Sequence, residues 1–105
     1  FLERLNTIII DNITNVELDV EQLSGMMNMS RPTLYRKIKA LSNLTPSELI
    51  TLTRLKKAAA LLSEGYKVNE VASQVGYSQQ NNFSRDFYKQ FGITPTGYIN
   101  SLQQG

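Results

Sequence analysis

The sequence predicts an all-α fold of about seven helices, arranged as two helix-turn-helix subdomains joined by a long linker helix. Three observations carry this reading. Apolar residues recur at helical spacing, cap and turn residues cut the chain into short segments, and one half of the chain repeats in the other.

Leu2, Leu5, Ile9 and Ile13 form one stripe, which gives a first helix over about 2–13. Asp19 is a good N-cap for a short second helix ending near Asn28, and Asn tolerates the left-handed backbone of a tight turn. Ser30 caps a third helix with Pro32 in its first turn, where a missing N–H costs nothing. Thr45-Pro46-Ser47-Glu48 is a capping box that opens the linker helix, over about 46–64, and Gly65 ends it. Val68–Val75 forms a fifth helix closed by Gly76. Ser78 caps a sixth helix that runs to about Phe91, where Gly92 stops it. Thr94-Pro95 starts a short last helix.

The internal repeat is the most informative feature. At an offset of 48, Val20 matches Val68, Leu23 matches Val71, Met27 matches Val75, Asn28 matches Gly76 and Ser30 matches Ser78. After a one-residue insertion the offset is 49, and Leu34 matches Phe83, Arg36 Arg85, Ile38 Phe87, Asn43 Gly92, Thr45 Thr94 and Pro46 Pro95. Core, turn and cap positions recur together, so the unit is duplicated. Each copy reads as short helix, tight turn and second helix, over about 19–42 and 68–91.

At about 100° per residue, Leu34, Ile38 and Leu41 face one side of the third helix. Pro32, Arg36 and Lys39 fall opposite, flanked by Thr33 and Tyr35. In the second copy Phe83 and Phe87 face inward with Phe91 at the edge. Asn81, Arg85 and Tyr88 face outward beside Asn82 and Ser84. These outward residue types are those that hydrogen-bond base edges and phosphates. Lys37 and Asp86 lie to the sides, as flank or phosphate-rim residues. Met26, Met27 and Met29 read as core filler beside a turn.

Composition narrows the classes. A 105-residue chain that is 41% hydrophobic and 19% charged reads as one folded domain, or at most two very small subdomains sharing a core. Without Cys or His it has no disulfide, no thiolate nucleophile, no imidazole base and no ordinary zinc site. The reading is therefore a binding module and not an enzyme, with no cofactor and no metal. No apolar run is long enough to span a bilayer. Phe1 is not an initiator methionine, so a longer parent chain is expected.

The net charge of +2 is unevenly spread. Residues 1–25 set Arg4 against Glu3, Asp11, Glu17, Asp19 and Glu21, a local excess of −4. Residues 26–67 set eight cations (Arg31, Arg36, Lys37, Lys39, Arg54, Lys56, Lys57, Lys67) against Glu48 and Glu64, an excess of +6. Such an excess attracts a polyanion or simply solvates a surface. A helical protein–protein module without DNA affinity stands as the alternative.

Val71-Ala72, Val75-Gly76-Tyr77-Ser78, Phe83-Ser84-Arg85-Asp86-Phe87, Phe91-Gly92-Ile93-Thr94-Pro95 and Tyr98 together resemble the second-motif signature of the AraC/XylS family of bacterial transcription regulators. Arg54-Leu55-Lys56-Lys57-Ala58 looks like that family's linker helix. Ser30-Arg31-Pro32-Thr33-Leu34-Tyr35-Arg36 is similar to the version at the C-terminus of Bacteroidetes hybrid two-component regulators. The resemblance covers about residues 16–100. It departs at Asn100 and Tyr88, where many members carry Arg and Lys, and at Ser24 and Asn28, where Ala and Gly are commoner.

The resemblance implies sequence-specific binding of double-stranded DNA for transcription regulation, with two recognition helices reading adjacent major-groove segments. By position, base reading falls to Arg31, Pro32, Tyr35 and Arg36, and then to Gln80, Asn81, Ser84 and Arg85 with Gln79 nearby. Ser30, Lys39, Ser78, Asn82 and Lys89 are the phosphate candidates. It further implies a cytoplasmic, nucleoid-associated bacterial regulator, contact with RNA polymerase if it activates, and upstream domains that sense, dimerise or anchor the full-length protein in a membrane.

Overall fold

The computed structural model describes residues 1–103. Among them are seven helices and no strand: α1 (Leu2–Asp11), α2 (Val20–Met26), α3 (Arg31–Ser42), α4 (Pro46–Ser63), α5 (Val68–Gln74), α6 (Gln80–Phe91) and α7 (Pro95–Gln103). The chain divides into two compact units within α4, between Thr53 and Arg54. No described helix is long and apolar enough to cross a membrane.

In the first unit, Leu5, Ile9, Leu18, Leu23, Met27, Leu34, Ile38 and Ile50 form the buried core. Helix α1 stops two residues short of the expected end. The Asn12 side chain donates to the Ile8 carbonyl at 2.8 Å and its backbone N–H is shared between Ile8 and Ile9, which closes the last turn. Ile13 is still buried, from the turn that follows. The Asp19 carboxylate caps α2 by accepting from the Gln22 N–H at 2.9 Å. Two apolar expectations fail. Leu41 is 57% exposed because it lies in the last turn of α3, past Ile38, where the core ends. Met26 is also exposed, its sulfur accepting from Asn12 Nδ2, whereas Met27 is buried and Met29 packs on the core.

The turns of the two copies match bond for bond. Asn28 and Gly76 both have positive φ. Met29 N–H donates to the Ser24 carbonyl at 3.0 Å, and Tyr77 N–H donates to the Ala72 carbonyl at 2.9 Å. Each is the longer bond of a Schellman turn, which satisfies carbonyls that the short helix leaves open. The second-helix ends also match, since Asn43 and Gly92 are both left-handed.

The helix starts diverge at one point. Ser30 caps α3, accepting from the Thr33 N–H at 3.3 Å. Ser78 does not cap α6, contrary to the sequence expectation. The one-residue insertion puts Gln79 at the N-cap, with no side-chain cap bond, and leaves Ser78 in the bend before it. The capping box of α4 is complete: Thr45 N–H donates to Glu48 Oε1 at 2.9 Å, and Glu48 N–H donates to Thr45 Oγ1 at 3.1 Å. Helix α7 has only half of it, because Gly97 stands where a carboxylate would.

In the second unit Phe83 and Phe87 are fully buried. Ring contacts run from Tyr77 to Phe83 (5.4 Å), Phe83 to Phe87 (5.7 Å), and from Phe87 to Phe91 (4.7 Å) and Tyr98 (5.9 Å). These tilted and edge-on pairs each add about 0.5–1.5 kcal/mol beyond burial. They fix the inner face of α6, and hence which residues face out. Arg54, counted on sequence as part of the basic surface, is buried, and its Nη1 donates to the Val75 carbonyl at 2.8 Å. Burial lowers its pKa from the ordinary arginine value. That bond braces the end of α5 where the turn begins.

Candidate nucleic-acid interface

Helix α3 carries Arg31, Pro32, Tyr35, Arg36 and Lys39 all exposed, opposite buried Leu34 and Ile38. The first four therefore share a surface that points away from the first unit's core. Lys39 Nζ donates to the Asn43 carbonyl at 3.3 Å, so its charge sits at the C-terminal end of the helix, where a cation is favoured. Ser30 is exposed, but its hydroxyl donates to Thr33 Oγ1 at 2.9 Å while it caps the helix. Its remaining capacity toward a phosphate is small.

Helix α6 presents Gln80, Asn81, Arg85 and Lys89 exposed, with Asn82 and Ser84 half-buried at the flanks. Gln79 and Ser78 precede it, both exposed. Gln79, Gln80 and Asn81 occupy the cap and first turn, where free backbone N–H groups and the positive end of the helix dipole favour an anion. Each unit thus brings its own candidates onto one helix face. Among the described residues no group of His, Cys, Asp or Glu is arranged to hold a metal ion.

Tyr77 and Asp86, which lie in the family signature, meet in the second unit through a contact that the sequence does not give. Asp86, read on sequence as a flank or phosphate-rim residue, turns its carboxylate toward protein groups. Oδ2 accepts from the Tyr77 hydroxyl at 2.9 Å, and Oδ1 lies 3.5 Å from Arg85 Nε. Burial first, and the bond to Asp86 second, push the Tyr77 phenol well above the ordinary tyrosine range. Tyr77 and Asp86 belong to different elements, so no periodicity of the sequence pairs them.

A family model described as a helix-turn-helix domain matches residues 23–101. The chain is also similar to the C-terminal domain of AraT, a response regulator from Geobacillus stearothermophilus. The two are 31% identical with a TM-score of 0.86, covering 94% of this chain and 83% of that one. The chain belongs to the AraC-type helix-turn-helix family. Its fold is that of DNA-binding transcription regulators.

A second solved structure, the DNA-binding domain of the global transcriptional factor AdpA in complex with a target DNA, matches with a TM-score of 0.88 at 26% identity. That likeness covers 98% of this chain and 93% of the AdpA chain. A histidine kinase of Formosa agariphila is 43% identical over 98% of this chain. The chain spans only 8% of that kinase's length.

Proposed function

We propose that this chain is a sequence-specific double-stranded-DNA-binding domain that regulates transcription, with α3 and α6 each entering a major-groove segment of one site. One observation carries the reading. Arg36 and Arg85 occupy equivalent positions of the two copies, both exposed, each opposite a buried pair on a helix that follows the same Schellman turn. Arginine so placed can give two donors to guanine O6 and N7. The likeness to AdpA, whose domain is in complex with a target DNA, supports the same use of the fold.

On this reading Arg31, Pro32, Tyr35 and Arg36 read bases from α3, with Pro32 limited to apolar contact such as a thymine methyl. Gln79, Gln80, Asn81, Ser84 and Arg85 read bases from α6. Lys39, Asn82, Lys89 and Ser78 contact phosphates, and Ser30 contributes mainly as a cap. The domain performs no catalysis. It acts in the bacterial cytoplasm at the nucleoid, and contacts RNA polymerase if it activates. Similarity to a histidine kinase and to a response regulator domain supports a two-component parent chain, whose other domains sense the signal and bring two copies together.

Selection of duplexes from a random library by this chain tests the proposal. Enrichment of a defined motif, lost when Arg36 and Arg85 are both replaced by Ala, is the expected result. A chain that enriches nothing is a protein-interaction module instead.

A further inference from the structure

We infer that Asp86 is a positioning residue for recognition: held by the Tyr77 hydroxyl, its carboxylate orients the Arg85 guanidinium for reading a base. The inference rests on the DNA-binding reading and deepens it.

The geometry divides the carboxylate between two jobs. Oδ2 accepts from Tyr77 at 2.9 Å, and Oδ1 faces Arg85 Nε at 3.5 Å. Tyr77 is itself fixed. It follows left-handed Gly76, its N–H closes the turn on the Ala72 carbonyl, and its ring packs 5.4 Å from fully buried Phe83. A line of support therefore runs from the aromatic core through Tyr77 and Asp86 to Arg85. The Arg85 side chain is 61% exposed and that of Asp86 only 25%, so the arginine faces outward while its brace stays close to the protein.

An exposed ion pair contributes little to stability, so the value of this one lies in orientation. With the carboxylate on the Nε side, Nη1 and Nη2 stay available as the two donors that a guanine edge takes. An arginine already held gives up less rotamer freedom on binding. The first copy has no such device: Lys37 stands in the place of Asp86 and Met29 in that of Tyr77. Arg36 instead shares its helix with Arg31, Lys37 and Lys39.

The test compares wild type and Asp86→Asn on a duplex selected from a random library by the wild-type chain and on a scrambled duplex. The expected result is a roughly tenfold fall in the ratio of the two affinities, the scale of one bidentate base contact. Affinity for the scrambled duplex should rise, because a negative charge has gone. In an Arg85→Ala background the same substitution should no longer change the ratio. Tyr77→Phe, which keeps the ring and removes the hydroxyl, should lower the ratio in the same direction. Equal losses on both duplexes, or an unchanged ratio, would overturn the inference. So would a fall that persists without Arg85. If Asp86→Asn does not fold by circular dichroism, Tyr77→Phe decides by the same ratio. If the wild-type chain selects no duplex, the DNA-binding reading fails and takes this inference with it.

Discussion

Asn28 and Gly76 lie 48 residues apart and occupy the same backbone position, with φ of 55° and 89°. Each turns the chain from a short helix toward the helix that carries a candidate arginine. The second turn is held from outside as well, by the Arg54 bond to Val75.

The first prediction follows from that equivalence. Only Gly enters the left-handed region without steric cost, and Asn does so more easily than other residues. Asn28→Gly should therefore leave stability within about 0.5 kcal/mol. Gly76→Val should cost about 2 kcal/mol or more. Urea denaturation of the two variants checks this, and equal small losses would show that the turn tolerates any residue.

Arg54→Met keeps most of the buried stem and removes the donor to the Val75 carbonyl. It should destabilise the chain by about 1–3 kcal/mol, the cost of a buried acceptor left without its partner. The same denaturation measurement reads it. A neutral result would mean that solvent or another donor replaces the guanidinium.

Glu48 supplies a pH dependence. The Thr45 N–H first, then the Thr45 hydroxyl and the Lys39 ammonium, lower its pKa from the ordinary value of 4.5. A carboxylate whose pKa is depressed by folding adds stability above its unfolded value, and loses it as pH falls through the folded value. Glu48→Gln should therefore lose less stability than wild type between about pH 5 and pH 3. Thermal midpoints across that range test it, and parallel curves would contradict it.

Much of this architecture is legible in the sequence because it is written in local chemistry. Asp19, Ser30 and the Thr45–Glu48 pair cap the helices that their positions imply. The repeat pairs Asn28 with Gly76 and Asn43 with Gly92, and all four are left-handed. Where the reading fails, a tertiary fact overrides a local one. Ser78 looks like a cap until the insertion at Gln79 displaces it. Leu41 keeps the apolar phase of α3 but runs past the end of the core, and Gln90 at its repeat position is polar. Arg54 reads as surface charge although it is buried, and the Tyr77–Asp86–Arg85 chain joins separate elements through contacts that no spacing encodes.

Charge and bracing divide the two arginines. Arg36 shares its helix with Arg31, Lys37 and Lys39, whereas Arg85 is held by Asp86. Replacing either with Ala should cost about 1–3 kcal/mol on the selected duplex. The larger loss of affinity is expected for Arg36→Ala, and the larger loss of discrimination against a scrambled duplex for Arg85→Ala. Lys39→Ala should weaken all sequences about equally. Binding curves for the three variants on both duplexes check the division. An identical loss on both duplexes for Arg36→Ala would make Arg36 a phosphate contact.

The central claim, that α3 and α6 bind duplex DNA, is tested most directly by the salt dependence of binding. Arg31, Arg36, Lys39, Arg85 and Lys89 are the cations of the proposed interface. On random duplex, where no selected base engages the arginines, all five are free to neutralise phosphates, and at about 0.9 counterions released per phosphate the slope of log affinity against log salt should be about −4 to −5. A slope near zero on random duplex would contradict the account.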